Sequence, residues 1–429
     1  MAKDSELRSE ELSEDEQSRT AGEATKKSVL RGLKRHKDTP GKTTRIGTRF
    51  QTRSDIRRVL TSVLSLLLAA AVILAAVFLV IYRDQISLDR ARRWLNSLNS
   101  RSSGVTESFT FESHRSNVFG LAGSHLAVGS VSGLTVFDAG GTAQAVIQQA
   151  ISEPCLKTGD SSVLLADLGH RAVCVANLEL GKEFTLELDN TIYGADMAGE
   201  GWFCVLTAGD GCKAMVRVYN DQGDEVFQWK SSSYYLTLSA LSDDGKHLAT
   251  AGLGAGKASI QSIIQILDTN STGGPVQVDL GSENVLALDW MDDTLIVFGE
   301  TQLAVIGADG SVAGRFGYDS RSLTAAAVTD SYAVAAFDAG TSGGQCLLTA
   351  ISKNGELLAQ TYLDGSAQSL DARSGTVCVL TGSSLTIFDR ELNAQGYWTG
   401  LTGTGTVLAR TDGSALLAAS GKATLYRPD

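Results

Sequence analysis

The sequence predicts an all-β fold, an eight-bladed β-propeller, tethered behind one membrane-spanning helix. Three observations carry this. One apolar run holds no charge. Beyond it, a three-run pattern returns every 37 to 47 residues, and the last copy lacks its outer run.

The chain has 429 residues and a formal net charge of −11, unevenly spread. Residues 1–25 are acidic and polar (SEEL, SEDEQ), and residues 26–58 are basic, with Lys26, Lys27, Arg31, Lys34, Arg35 and Lys37 among the cations. Neither stretch holds enough large apolar side chains to offset the entropy of ordering, so 1–58 is expected to be a disordered tail. A basic stretch beside a membrane helix is drawn to anionic headgroups at about 1 kcal/mol per residue. That accounts for the charge without nucleic acid, for which no folded motif is present.

Val59–Tyr82 (VLTSVLSLLLAAAVILAAVFLVIY) is long enough as a helix, at about 1.5 Å per residue, to cross a hydrocarbon core of roughly 30 Å. Arg57 and Arg58 flank it on one side; Tyr82 and Arg83 flank it on the other, with the tyrosine at the interfacial position. It begins too late and runs too long for a cleavable signal peptide. Arginines close to the span are nearly balanced. The distant basic tail and the acidic remainder therefore set the expected orientation, with the N-terminus cytoplasmic and the C-terminal domain extracytoplasmic.

Residues 83–101 form a linker in which ISLDRARRWLNSLN has helical spacing, with Leu88, Ala91, Leu95 and Leu98 on one face. Arg90, Arg93 and Trp94 are the candidates for lipid-headgroup contact. Membrane lipid is thus one expected partner.

Residues 102–429 are rich in Gly and nearly free of Pro. Units begin near residues 125, 162, 202, 247, 294, 332, 376 and 415. Each is an aliphatic run, a tight turn, a second run, a turn and a third run, as in HLAVGSVSGLTVFDAGGTAQAV and TLIVFGETQLAVIGADGSVAGRF. The spacing is that of a four-stranded propeller blade. A fainter run rich in Ala, Gly and Ser precedes the units: Val118–Leu121, Tyr235–Leu241, Val285–Trp290, Leu323–Val328 and Ser369–Ala372. These suit crowded innermost strands. Val105–Phe111 (VTESFTF) alternates but has no blade of its own; joined to the eighth unit it would close the ring and remove an open edge. Seven blades is the alternative count.

The pattern resembles the WD40-like and quinoprotein-like propellers. LSDDGKHLATAG at Leu241–Gly252 resembles their SPDG-K-LAT-G hairpin, and VFD (Val136–Asp138), ILD (Ile266–Asp268) and IFD (Ile387–Asp389) stand where WD40 proteins carry Trp-Asp. The Trp-Asp pair itself and the Gly-His signature are absent. The whole layout also resembles an uncharacterised bacterial family of single-pass proteins with a propeller ectodomain, which implies a fold and no activity.

Motifs for chemistry are missing. The five histidines lack zinc spacing, and no nucleophile elbow or Walker loop occurs. GLGAGKAS at Gly252–Ser259 reads as a hairpin loop. Asp243-Asp244, Asp292-Asp293, Asp319 and Asp330 read as turn caps, with a calcium site as the alternative. Cys204 and Cys212 can face each other across a hairpin; most of the six cysteines read as small buried residues. Trp202, Trp229, Trp290 and Trp398 are expected between blades, and packing is the favoured reading of Tyr234-Tyr235 and Tyr318 as well, with an exposed face as the alternative. No enzyme activity and no cofactor are expected. The expected function is a non-enzymatic module binding a protein or envelope ligand. The alternatives are a hydrolase or lyase with an axial metal, and a sensor signalling through the tail. Carboxylates or histidines converging on the axis would favour the enzyme; an axis lined only with Ala, Ser and Gly would count against it.

Overall fold

The computed structural model describes residues 104–255, 260–339, 344–401, 405–419 and 421–428. The chain divides into two units, Met1–Arg83 and Asp84–Asp429, and every described residue lies in the second. The tail, the span at 59–82 with its flanks Arg57, Arg58, Tyr82 and Arg83, and the linker with Arg90, Arg93 and Trp94 lie outside the described residues. No helix among the described residues is long and apolar enough to cross a membrane.

Thirty-two strands form eight four-stranded antiparallel sheets, so the count is eight blades rather than seven. The innermost strands of blades 1 to 8 are β2 (Val118–Ala122), β6 (Pro154–Thr158), β10 (Ile192–Met197), β14 (Tyr235–Leu241), β18 (Val285–Met291), β22 (Leu323–Val328), β26 (Ala367–Arg373) and β30 (Gly405–Ala409). All five fainter runs fall on these strands. GLGAGKAS joins β15 (His247–Ala255) to β16 (Ile260–Asp268), as a hairpin loop should.

Position in the blade explains composition. In blade 2 the middle strands β7 (Ser162–Asp167) and β8 (Ala172–Asn177) are buried at every residue, because a neighbouring blade covers each face. They therefore read as continuous apolar runs. The outer strand β9 (Lys182–Glu187) alternates half-buried and exposed, as a strand with one wet face must.

The core is divided among the blade interfaces. Eight apolar clusters each join two adjacent blades. The closing one packs Leu121, Leu126 and Val128 of blade 1 against Leu408, Leu416 and Ala423 of blade 8. Blade 8 is completed from the other end of the domain. Its strand β32 (Lys422–Arg427) pairs antiparallel with β1 (Gly104–Thr110), from Gly104 opposite Arg427 to Thr110 opposite Lys422. Phe109 then meets Phe137 of blade 1, with ring centroids 5.5 Å apart.

Three readings left by the sequence are settled or revised. Cys204 and Cys212 do not pair: all six cysteines are free, and the Cys212 thiol donates to the Ala214 carbonyl instead. Tyr318 is buried and packs on Phe337 at 4.7 Å between ring centroids, so it lines no open face. Asp243 does not cap its own turn; Oδ1 accepts the Gly199 N–H of the preceding blade. Asp244 does cap, accepting from Ser242 and Lys246, and these bonds hold its carboxyl at about 2.

Candidate functional site at the propeller axis

Inner strands begin at one face of the disc, here the lower, and turn at the other, the upper. On β10, β14, β18, β22 and β26 the pairing breaks once near the lower end, while β2, β6 and β30 pair without a break. A bulge inserts one unpaired residue, bends the strand and re-aims a side chain. The inserted residues are Tyr193, Thr237, Leu286, Thr324 and Gln368, and all five are exposed. Since these are the innermost strands, this exposure opens towards the axis. Five consecutive blades thus line one side of the lower mouth differently from the other three. Tyr193 is 53%, Tyr235 61% and Leu286 44% exposed, an apolar arc across blades 3 to 5. Lys213 holds its ammonium 4.9 Å from the Tyr235 ring and donates to the Ser233 carbonyl at 2.7 Å.

A charged layer lies further in. Lys157, Asp196, Asp289 and Asp371 occupy equivalent places, paired with Leu164, Cys204, Ile296 and Cys378 of their second strands. Gly120, Ala240, Ala327 and Leu408 fill the same place in the other blades. Two of the aspartates stitch neighbours together. Asp196 Oδ1 lies 3.2 Å from Lys157 Nζ, and Oδ2 accepts the Leu241 N–H at 3.0 Å. Asp371 Oδ2 accepts the Ala409 N–H at 2.7 Å, beside a bond of 3.0 Å from the Val407 N–H to Ser369 Oγ.

Asp289 is different. Its Oδ1 accepts only the N–H of Trp290, at 2.9 Å, and no neighbouring blade donates to it among the described residues. Its surface is exposed, yet it lies on an innermost strand with other blades around it, where a carboxylate is hydrated less well than in open solvent. Burial, and then the Asp196 charge, push its carboxyl up to about 7, against the pull of Lys157. The Asp196 carboxylate raises Lys157 in turn, so its ammonium stays charged. Burial pushes Cys204 up to about 12, which keeps its thiol protonated at neutral pH and unsuited to nucleophilic work.

At the upper mouth the Asp243 carboxyl is raised, first by burial and further by the charges of Asp160, Asp330 and Asp196; the Gly199 N–H opposes this. Carboxylates therefore collect along one axis. Among the described residues, however, no three His, Cys, Asp or Glu side chains converge closely enough to hold a metal ion.

The tryptophans sit where expected: Trp290 is buried and donates to the Ala240 carbonyl at 3.1 Å, while Trp202, Trp229 and Trp398 are half-buried against inter-blade clusters. Tyr235 is exposed, the alternative reading rather than the favoured packing. The sequence reading passed over Lys157, Asp196, Asp289 and Asp371. A charge inside a run otherwise made of Ala, Gly, Ser and Leu was the signal available: YGADM, LALDW and QSLDA.

Comparison with known proteins bears on the fold. BamB from Moraxella catarrhalis is 15% identical, with 75% of this chain and 99% of that one covered at a TM-score of 0.51. The C-terminal WD40 domain of Sif2 is 13% identical, with 76% and 97% covered at 0.48. No curated protein matches the chain. At these identities the likeness to BamB establishes a shared propeller architecture alone. Residues 100–395 match the family of unknown function DUF5711, and over this larger part of its length the chain belongs to that family.

Proposed function

We propose that this protein is a membrane-anchored, extracytoplasmic propeller acting as a non-enzymatic binding module, and that it takes a protein segment at the lower mouth of its axis. The observation carrying this is the arc of Tyr193, Tyr235 and Leu286, exposed on consecutive blades. Rigid aromatic anchors at the mouth, with a partly desolvated carboxylate further in, suit an amphipathic segment with a basic group. A photocrosslinking residue at Tyr193 in the intact membrane protein is expected to capture a discrete partner. The same residue at exposed Tyr397, on outer strand β29 (Ala394–Trp398), is expected to capture none. Equal capture at both sites would overturn the reading.

The anchor rests on Val59–Tyr82 and its flanks. A C-terminal tag should be open to protease added outside intact cells; protection until lysis would reverse the orientation.

A second reading is favoured by one observation. Asp289, raised to about 7 near Lys157 and Asp196, has the properties of a general acid or base. If an ester or phosphoester is turned over with a rate that changes through about pH 7, and Asp289→Asn abolishes that turnover, the enzyme reading replaces the first.

A further inference from the structure

Away from the axis, a cleft of about 460 Å³ lies between blades 5 and 6. Strand register decides which side chains face it, because directly paired residues share a face of their sheet. On outer strand β21 (Val312–Gly317), Phe316 pairs with Leu303, a member of the apolar cluster between these two blades. Across the gap, on β25 (Leu357–Asp364), Tyr362 pairs with Leu347 of the same cluster. Gln360 pairs with Thr349, two residues from Leu347 on β24 (Gln345–Ser352), so both share the Leu347 face. Phe316 therefore lines one wall, and Tyr362 and Gln360 line the other, with Thr349 beneath. Among the described residues the two rings make no contact with each other, and Tyr362 is 55% exposed.

Two features of this lining ask for a ligand, and for an uncharged one. Thr349 is 1% exposed, and its hydroxyl has no hydrogen-bond partner. Burying a hydroxyl without a bond is unfavourable, so it calls for an occupant that supplies one, directly or through a water. The charges at the open end of the cleft cancel. Arg321 reaches Asp319 Oδ2 at 3.4 Å and the Tyr318 carbonyl at 3.5 Å. Neither an anion nor a cation finds an uncompensated charge there. The lining instead offers a hydroxyl and an amide, each able to donate and to accept, beside exposed ring surface.

We infer that this inter-blade cleft binds an uncharged carbohydrate, with the Tyr362 ring against a C–H face of the sugar and Gln360 and Thr349 bonding its hydroxyls. A pyranose ring carries an apolar C–H face and a rim of hydroxyls that both donate and accept. The electron-rich face of an aromatic ring suits the first, and mixed donor–acceptor groups suit the second. The cleft volume falls within the range of roughly 300–1,000 Å³ found for small-molecule sites. A flat aromatic ligand would use the rings alone, and it is the competing outcome of the test. The site is independent of the axial reading and stands if that reading fails.

The test is a saturation-transfer NMR titration of the full chain in phospholipid nanodiscs, which hold no sugar. Cellobiose and diacetylchitobiose are the carbohydrate probes, and adenosine is the flat aromatic one. Saturable binding of at least one disaccharide is expected. Tyr362→Ala should weaken it about tenfold or more, through loss of the ring surface. Gln360→Leu should weaken it about fivefold, through loss of the amide bonds. Both residues are exposed on an outer strand, so both variants should keep the wild-type melting temperature. Thr349→Val, of the same shape, should weaken binding while leaving the fold equally or more stable. Failure of both disaccharides to saturate by about 10 mM overturns the inference, whether or not adenosine binds. So does disaccharide binding that Tyr362→Ala and Gln360→Leu leave unchanged, which would mean adventitious contact only.

Discussion

Asp289, Asp196 and Asp371 share one place in the blade and differ in what the next blade offers them. The N–H groups of Leu241 and Ala409 turn Asp196 and Asp371 into ties between strands. Burial raises the carboxyls of Asp371 and Asp289 alike; the Ala409 N–H opposes the rise at Asp371, whereas the neighbour of Asp289 supplies no such bond. The consequence for stability has a definite sign. Folded, Asp289 titrates near 7, while an unfolded aspartate titrates near about 4. Between those values the fold holds a proton that the unfolded chain has released, so this site costs stability progressively as pH rises from about 4 to about 7. Asp289→Asn removes that dependence. Its melting temperature should match wild type at pH 4 and exceed it at pH 8. An equal offset at both pH values would mean that the channel does not depress ionisation. The sequence shows the odd charge in LALDW but not its surroundings, because only the ring brings Lys157 and Asp196 near it.

Among the elements, those that the sequence reveals best are the ones packed on both faces. Strands such as β7 and β8 are apolar at nearly every residue, so the blade period emerges from them directly. Inner strands are faint for two physical reasons. Small residues satisfy the crowding near the axis and give little hydrophobic signal. The bulges at Tyr193, Thr237, Leu286, Thr324 and Gln368 then shift the alternation by one residue near the start of the strand. Two members of the exposed arc, Tyr193 and Leu286, sit at those shifts and were hidden with them, while Tyr235, which keeps its pairing, stood out. The closing strand was legible, because VTESFTF alternates cleanly and had no partner nearby. Its removal makes a sharp test. Without residues 104–110, β32 presents unpaired backbone along the blade edge, a template for a second chain. Light scattering after size exclusion should find dimers or larger species in that variant and monodisperse protein in the parent. An unchanged mass would show that the edge is protected by other means.

For the whole molecule, the eight inter-blade clusters put the core in series around a ring. The joint between blades 8 and 1 is made by the same kind of packing as the rest. A ring with no weak joint should unfold as one unit. Leu408→Ala in the closing cluster and Leu165→Ala between blades 1 and 2 should each cost about 2–5 kcal/mol. In both variants, urea transitions followed by tryptophan fluorescence and by far-ultraviolet dichroism should coincide. The tryptophans report blades 3 to 5 and the joint between 7 and 8, so divergence of the two signals would reveal a separately melting arc.

The pairing of β1 with β32 also orders events in time. β1 leaves the ribosome before any blade, and β32 after all the others. Seven blades can stack during synthesis while the first strand waits beside an unfinished gap. The circle is sealed only when the final strand emerges, so a chain terminated a few residues short of it keeps two open edges. In such a chain β1 and β31 both present unpaired backbone, open to pairing with another chain.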